Sequence, residues 1–215
     1  HRFCMSANTH LHSDPIAPAH DRNTLRKRLR KQRAGLTPHQ LVESSLRACA
    51  RVTHTPQFKR AKRIAGFMAS NGELDPLSAL IDAFASGKTC YLPRLHPFLK
   101  GRMWFIRWQP GDPLEANRFG IPEPLLTQRA RIPNWMLHHV LVPLVAFDKD
   151  MNRLGMGQGF YDRAFAFARH RKHWRAPFLC GFAHAFQQTE RLESHPWDVP
   201  LDVVVTESGV IAKQA

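Results

Sequence analysis

The feature that most constrains the fold is an alternation of short apolar segments with helical ones. Six segments have the length and the β-branched and aromatic content of strands. They are RIAGFM (63–68), TCYLPRL (89–95), MWFIRW (103–108), HHVLVPLVAFD (138–148), FLCGFAH (178–184) and DVVVTESG (202–209). Strands that alternate with helices are typical of parallel sheets covered on both faces. The sequence therefore predicts an α/β fold with one largely parallel sheet flanked by helices, and ligands at the carboxyl ends of its strands.

Helix signals support the same architecture. A basic helix is predicted from Thr24 to Ala34, and TPHQ (37–40) carries the cap, first-turn proline and third-position glutamine of a second helix. A third is predicted with Asp75 as N-cap, Pro76 at the first helical position and Gly87 as its end.

The ends of the chain set the expected domain boundaries. Residues 1–20 show no periodicity and no apolar core of a secretory signal, so we expect a disordered extension. The 215-residue chain is long enough for one sizeable domain, which we expect over residues 21–215.

Charge and cysteine content limit the classes of function. The chain has 31 Lys and Arg against 17 Asp and Glu, a net charge of +14 that favours anionic partners. The densest basic cluster lies at residues 22–33, although such runs are more often solvated helix faces. The four cysteines are far apart and form no CxxC pair, which argues against a zinc framework and suggests a reducing compartment, the cytoplasm. No apolar run reaches the ~20 residues of a membrane span.

The segment RLGMGQGFYDR (153–163) is the strongest candidate for a site. Glycines at 155, 157 and 159 leave the backbone bare, so that successive N–H groups can converge on an anion. A helix expected to begin near Tyr161 would add further donors. The GxGxG spacing is neither a Walker loop nor a Rossmann fingerprint, and a purely structural turn remains the alternative. Asp162 is either a helix cap or, beside bound phosphates, a ligand of the kind that Mg²⁺ prefers.

Longer motifs around this loop resemble one known family. VPLVAFDKDMNRLGMGQGFYDR is similar to the signature of the 5-formyltetrahydrofolate cyclo-ligases, also called 5,10-methenyltetrahydrofolate synthetases. The resemblance extends over residues 22–210 and includes LRKRLRKQRAGLT, GFMASNGELDP, CYLPRL, FGIPEP and HPWDVPLDVVVTE. It implies a single-domain, Rossmann-like three-layer fold of the NagB/RpiA/CoA-transferase type. It also implies an enzyme that converts 5-formyltetrahydrofolate to 5,10-methenyltetrahydrofolate with ATP and Mg²⁺, through phosphorylation of the formyl oxygen and ring closure by N10.

The resemblance also assigns roles to individual positions. Those implied to bind ATP are Arg22, Arg26, Arg153, Leu154, Gly155, Met156, Gly157, Gln158, Gly159, Phe160 and Tyr161. Those implied to bind the folate are Met68, Glu73, Met156, Gly157, Gln158, Gly159 and Phe160. Arg153 and Tyr161 are the implied catalytic residues, and Asp162 and Asp198 the implied magnesium ligands.

Several of these positions have a second interpretation. Asp202 is the alternative second magnesium ligand, or a turn carboxylate before the last strand. Met68 at a strand end is more often core than ligand wall, and Phe119 is equally a folate wall or a core residue. Two positions depart from the family pattern: Phe160 stands where many members have a tyrosine, and Gln158 stands where some members have a lysine.

Two other functions stay open at the level of sequence. A basic nucleic-acid-binding protein would suit the charge, but no helix-turn-helix, zinc finger or RNP-like pattern is present, so no specific nucleic acid is expected. Another ATP-dependent ligase, or a sugar-phosphate enzyme on a related scaffold, would share the fold, and fold does not fix chemistry. The expected partners are ATP and a reduced folate, with or without a polyglutamate tail; no membrane is expected, and the sequence leaves the oligomeric state open.

Overall fold

The computed structural model describes residues 21–126, 131–170 and 176–213, so the predicted disordered segment 1–20 lies outside the described residues. The strands are β1 (Arg63–Ala65), β2 (Thr89–Leu95), β3 (Met103–Trp108), β4 (Leu114–Ala116), β5 (Pro122–Pro124), β6 (Arg131–Ile132), β7 (His139–Val142), β8 (Ala146–Phe147), β9 (Arg153–Leu154), β10 (Phe178–Phe182), β11 (Val203–Val205) and β12 (Val210–Ala212). Within these ranges, eight strands form one sheet in the order β12-β11-β10-β7-β1-β2-β3-β6.

The centre of this sheet is parallel and its edges are antiparallel. β2, β1, β7, β10 and β11 pair in parallel with their neighbours, whereas β12, β3 and β6 are added antiparallel at the two edges. The prediction of a largely parallel α/β sheet in one domain is confirmed. The carboxyl ends of β1, β2 and β7 lie side by side, because these three strands are neighbours with the same direction.

Four predicted strands are too long. The strand expected over 178–184 ends at Phe182. The strand expected over 138–148 ends at Val142, because Pro143 has no N–H to continue the ladder. The chain resumes as β8, which pairs with β9 in a separate two-stranded sheet and leads into the glycine loop. The strand expected over 202–209 is β11 followed by a turn in which Thr206 Oγ1 accepts from two backbone N–H groups. The first strand covers 63–65 rather than 63–68.

The helices are α1 (Arg22–Ala34), α2 (Pro38–His54), α3 (Pro56–Arg60), α4 (Leu77–Ala85) and α5 (Phe160–Ala164). The predicted cap of α2 is confirmed: Thr37 Oγ1 accepts from the Gln40 N–H at 3.2 Å, and Gln40 Oε1 accepts from the Thr37 N–H at 2.9 Å. In α4 the predicted start is wrong by one residue. Pro76 occupies the cap position, and the Asp75 carboxylate accepts from the Leu77 N–H at 2.9 Å.

The sheet has a hydrophobic core on each face, which makes three layers. Val203 and Val205 point into the core beneath α2 and α4, while Val204 between them points into the core that includes Phe165. This alternation is the period of two expected of a strand covered on both sides. The cysteines in the described part of the chain are free and buried. No helix among the described residues is long and apolar enough to cross a bilayer.

Candidate functional site

The glycine loop, residues 155–159, lines two cavities. The first has a volume of about 450 Å³ and lies at the carboxyl ends of β1, β2 and β7. The second has a volume of about 650 Å³ and lies against the N-terminal part of α1. Both cavities are lined by Gly155, Gln158, Gly159 and Asp162. The loop is therefore a shared wall at which two ligands can meet.

Two of the three loop glycines are required by the backbone. Gly157 has φ of 97° and Gly159 has φ of 62°, values that side chains with a Cβ rarely adopt. Gly155 does not have a positive φ, and a Cβ built there meets no atom within 4 Å. The bare surface at Gly155 is thus open space between the two cavities, and the turn itself depends on the other two glycines.

Arginine side chains hold the carbonyl groups of this loop. Arg26 Nε donates to the Gly155 carbonyl at 2.8 Å, and Arg163 donates to the carbonyls of Gln158 and Gly101. Among the described residues, no hydrogen bond involves a backbone N–H of residues 155–159 as donor. The loop therefore turns its carbonyls towards arginines and keeps its N–H groups available, which is the arrangement of an anion-binding nest. Because α5 has only five residues, its dipole adds little.

Arg153 and Asp162 form a shielded ion pair across the loop. Arg153 Nη2 donates to Asp162 Oδ1 at 2.5 Å, and the arginine side chain is 5% exposed. The same carboxylate oxygen accepts from the Val199 N–H at 3.1 Å, which ties the loop to the C-terminal part of the chain. Arg153 lines the first cavity and Asp162 lines both, so the ion pair borders the first cavity and its carboxylate also borders the second.

Tyr161 borders the first cavity with a hydroxyl that has no hydrogen-bond partner in the described part of the chain. Burial, with a further contribution from Glu73, raises the pKa of this phenol above its ordinary value, so the group stays protonated. A neutral buried hydroxyl without a partner is costly to leave unsatisfied. A ligand in the first cavity that reaches this buried hydroxyl would supply the partner it lacks.

Glu73 supplies a carboxylate to the first cavity. Its Oε2 accepts from the Ser70 N–H at 3.1 Å, and its Oε1 lies 3.4 Å from Nη1 of Arg33. Burial raises the pKa of Glu73, and the nearby Arg33 guanidinium opposes that shift. The buried carboxylate is therefore fixed in orientation at a cavity whose other walls are largely apolar, including Met68 and Phe119.

The magnesium candidates lie on the second cavity. Asp198 Oδ2 accepts from Arg22 Nη1 at 3.1 Å and from the His195 N–H at 2.9 Å, and Asp162 lies on the same cavity wall. Asp202, the alternative ligand, accepts from the Leu179 N–H at 2.7 Å and does not line either cavity. The described residues contain no group of three or more His, Cys, Asp or Glu side chains that could hold a metal by themselves.

Four arginines of the basic cluster follow one face of α1. The helix begins at Arg22, two residues earlier than predicted, because the Asp21 carboxylate accepts from the N–H groups of residues 23 and 24. Arg22 and Arg26 line the second cavity, Arg30 lines the first, and Arg33 is buried behind Glu73. Sequence reasoning missed Arg30 and Arg33. The signal was present, since both continue the helical spacing of the first two arginines.

The remaining predicted positions divide between the cavities and the core. Met156 and Phe160 line the first cavity, and Gly157 lines the second. Phe119 also lines the first cavity, with its ring 6.3 Å from that of Phe160. Leu154 is 1% exposed and packs in a small core with residues of α1, so its side chain does not reach either cavity.

Comparisons with known proteins agree on one family. The model of the 5-formyltetrahydrofolate cyclo-ligase family matches residues 18–207. The chain is 40% identical over 182 residues to the 5-formyltetrahydrofolate cyclo-ligase of Escherichia coli strain K12, which covers 85% of this chain and 98% of that protein. It is 37% identical over 187 residues to the Haemophilus influenzae protein of the same name, and the match covers 86% of this chain and 97% of that protein. The NMR structure of Aquifex aeolicus 5,10-methenyltetrahydrofolate synthetase is similar with a TM-score of 0.74 and 30% identity, over 90% of this chain and 93% of that one.

Proposed function

The chain belongs to the 5-formyltetrahydrofolate cyclo-ligase family and is an enzyme of that family, and on this premise we propose the reaction and the roles of its residues. The enzyme converts 5-formyltetrahydrofolate to 5,10-methenyltetrahydrofolate and turns ATP into ADP and phosphate. The observation that carries this proposal is that one glycine loop lines two cavities, because a phosphoryl transfer between two bound substrates needs adjacent sites with a common wall.

The first cavity is assigned to the folate. Its largely apolar walls suit a pterin and an aminobenzoyl ring, and Glu73 offers a carboxylate that accepts from pterin N–H groups. Met68 and Phe160 contact the rings, and the unpartnered hydroxyl of Tyr161 donates to a polar atom of the substrate. The loss of a hydroxyl at position 160 leaves ring stacking in place, since phenylalanine retains the aromatic face.

The second cavity is assigned to ATP. Arg22, Arg26 and the N–H groups of the loop around Gly157 supply the positive charge and the donors that phosphate oxygens need. Gln158, where some members carry lysine, contributes an uncharged side chain at this wall. An anionic small molecule thereby accounts for the part of the basic surface of α1 that faces this cavity.

The two aspartates of the second cavity fit a magnesium ion that arrives with the nucleotide. Mg²⁺ is usually bound by one or two carboxylates together with substrate phosphates. Among the described residues, Asp162 hydrogen-bonds through Oδ1 and Asp198 through Oδ2, so each carboxylate has a second oxygen available for a metal. A magnesium ion held there would neutralise charge on the phosphates.

The protein's contribution to the chemistry is alignment and charge neutralisation. In the proposed reaction the formyl oxygen attacks the γ-phosphorus of ATP and ADP leaves. N10 then attacks the formyl carbon and loses its proton, and phosphate leaves with the former formyl oxygen. Arg153, held by Asp162 where the cavities meet, stabilises negative charge on the phosphoryl group during both steps.

The free buried cysteines fit a reducing compartment such as the cytoplasm.

The direct test mixes the protein with 5-formyltetrahydrofolate, ATP and Mg²⁺ and follows the absorbance of the methenyl product. We expect product only when all three are present, and none after chelation of the metal. Asp162→Asn should lower kcat/KM at least about 100-fold, as expected when a preorganised charge is removed from a phosphoryl-transfer site.

Asp82→Asn is the matched control, because Asp82 is exposed on α4 and lines neither cavity. It should retain wild-type kinetics. Folded wild-type protein that makes no product would refute the proposed reaction. Full activity of Asp162→Asn would refute the role given to that carboxylate.

A further inference from the structure

A rigid turn carries an exposed tryptophan to the edge of the second cavity. The turn, residues 195–198, is closed by the Asp198 N–H donating to the His195 carbonyl at 3.0 Å. The Asp198 side chain accepts from the His195 N–H at 2.9 Å. Arg169 Nη1 donates to the Pro196 carbonyl at 3.1 Å, and Arg22 binds Asp198 at 3.1 Å. The conformation of the turn is therefore fixed from both sides.

Trp197 is 60% exposed at the tip of this turn and lines the second cavity. One support for its ring is the imidazole of His195, stacked at 4.7 Å with an angle of 28° between the planes. The glycine loop and Asp162 line the same cavity. Although His195 packs on this indole, most of the side chain stays exposed, so the turn offers a flat apolar surface beside an anion site.

We infer that Trp197 is the stacking platform for the base of the bound nucleotide. This rests on the proposed function, in which the second cavity holds ATP. The phosphates have charged partners in the arginines and the loop, whereas the base is a large aromatic ring that needs a partner of its own. Among the described residues lining this cavity, Trp197 and His195 carry the aromatic rings.

Stacking on Trp197 separates the energetics of the base from those of the phosphates. Replacing an aromatic residue that stacks on a base with alanine typically lowers the affinity about 10-fold or more. That loss applies only to ligands with a base. Inorganic tripolyphosphate has the same phosphate chain and no base, so its affinity is set by the loop, the arginines and the metal alone.

The test is calorimetric titration with Mg²⁺ of two probes, a non-hydrolysable ATP analogue and inorganic tripolyphosphate. Trp197→Ala should lower the affinity for the ATP analogue about 10-fold. Its affinity for tripolyphosphate should stay within about 2-fold of the wild-type value. Trp197→Phe should restore part of the lost affinity, because phenylalanine retains a smaller ring. Trp135→Ala is the matched control: Trp135 is 58% exposed and lines neither cavity, so both affinities should be unchanged.

Two results would overturn the inference. One is an unchanged affinity of Trp197→Ala for the analogue. The other is an equal loss for both probes, which would mean that the substitution disturbs the phosphate site. Either leaves the proposed reaction standing, since activity and nucleotide binding by the wild type are measured separately. Wild-type protein that binds neither probe would instead refute the assignment of the second cavity to ATP, and the inference with it.

Discussion

His139 makes the stability of this protein depend on pH in a way that one substitution should remove. The side chain lies in β7 with no exposed surface, between the rings of Phe58 at 5.3 Å and Phe178 at 5.5 Å. Neither ring nitrogen has a hydrogen-bond partner among the described residues. Burial lowers the pKa of His139 to about 3. We therefore expect His139→Leu, which keeps similar volume and removes both polar atoms, to stabilise the protein most at acidic pH.

The size of the effect follows from proton linkage. An unfolded histidine has a pKa of about 6.5 and binds a proton below that pH, whereas folded His139 stays neutral down to about pH 3. The unfolded state thus holds more protons across this window, and the free energy of unfolding falls by about 1.4 kcal/mol for each pH unit below 6.5. At pH 5 the loss is about 2 kcal/mol. Removing two unsatisfied buried nitrogens adds about 1–3 kcal/mol at every pH.

Urea denaturation at pH 8, 6.5 and 5 measures this difference. The chain has 13 histidines, so the wild-type profile alone cannot be assigned to one of them. The difference between the variant and the wild type isolates His139, because the other groups titrate alike in both proteins. His39→Leu, at an exposed position on α2, should show no such trend. If the stability difference of His139→Leu is the same at pH 8 and pH 5, the reasoning fails.

Three predictions concern the site. Glu73→Gln should raise KM for the folate about 10-fold or more with KM for ATP unchanged, because a charged hydrogen-bond acceptor is lost from the first cavity only; steady-state kinetics decides. Gly157→Ala should weaken ATP binding, measured by titration, because φ of 97° costs a Cβ-bearing residue about 1–3 kcal/mol. Tyr161→Phe should lose folate affinity while its melting temperature stays equal or rises, because the hydroxyl has no hydrogen bond to lose within the described residues; a lower melting temperature would contradict this.

The sequence predicted correctly those features that depend only on residues close together along the chain. The capping box at Thr37 and the start of α5 next to Gly159 follow from chemistry within a few positions, and the structure contains both. The predicted lengths of β2 and β3 are confirmed, whereas the other four predicted strands are shorter in the structure. An apolar run such as 138–148 has the same composition whether it continues or breaks, and its division into β7 and β8 depends on which strands lie beside it.

The sequence by itself determined the parallel α/β class, the family and the loop that carries the glycines, because periodicity and motif spacing are properties of the chain. Only the tertiary structure decided that this loop is a wall between two cavities. It also gave the arginines in one row on α1 different surroundings: some line one of the two cavities, and one is buried as the partner of Glu73. The physical reason is that burial and ion pairing depend on elements far apart in sequence, as Arg22 and Asp198 are, and their proximity arises only when the sheet forms.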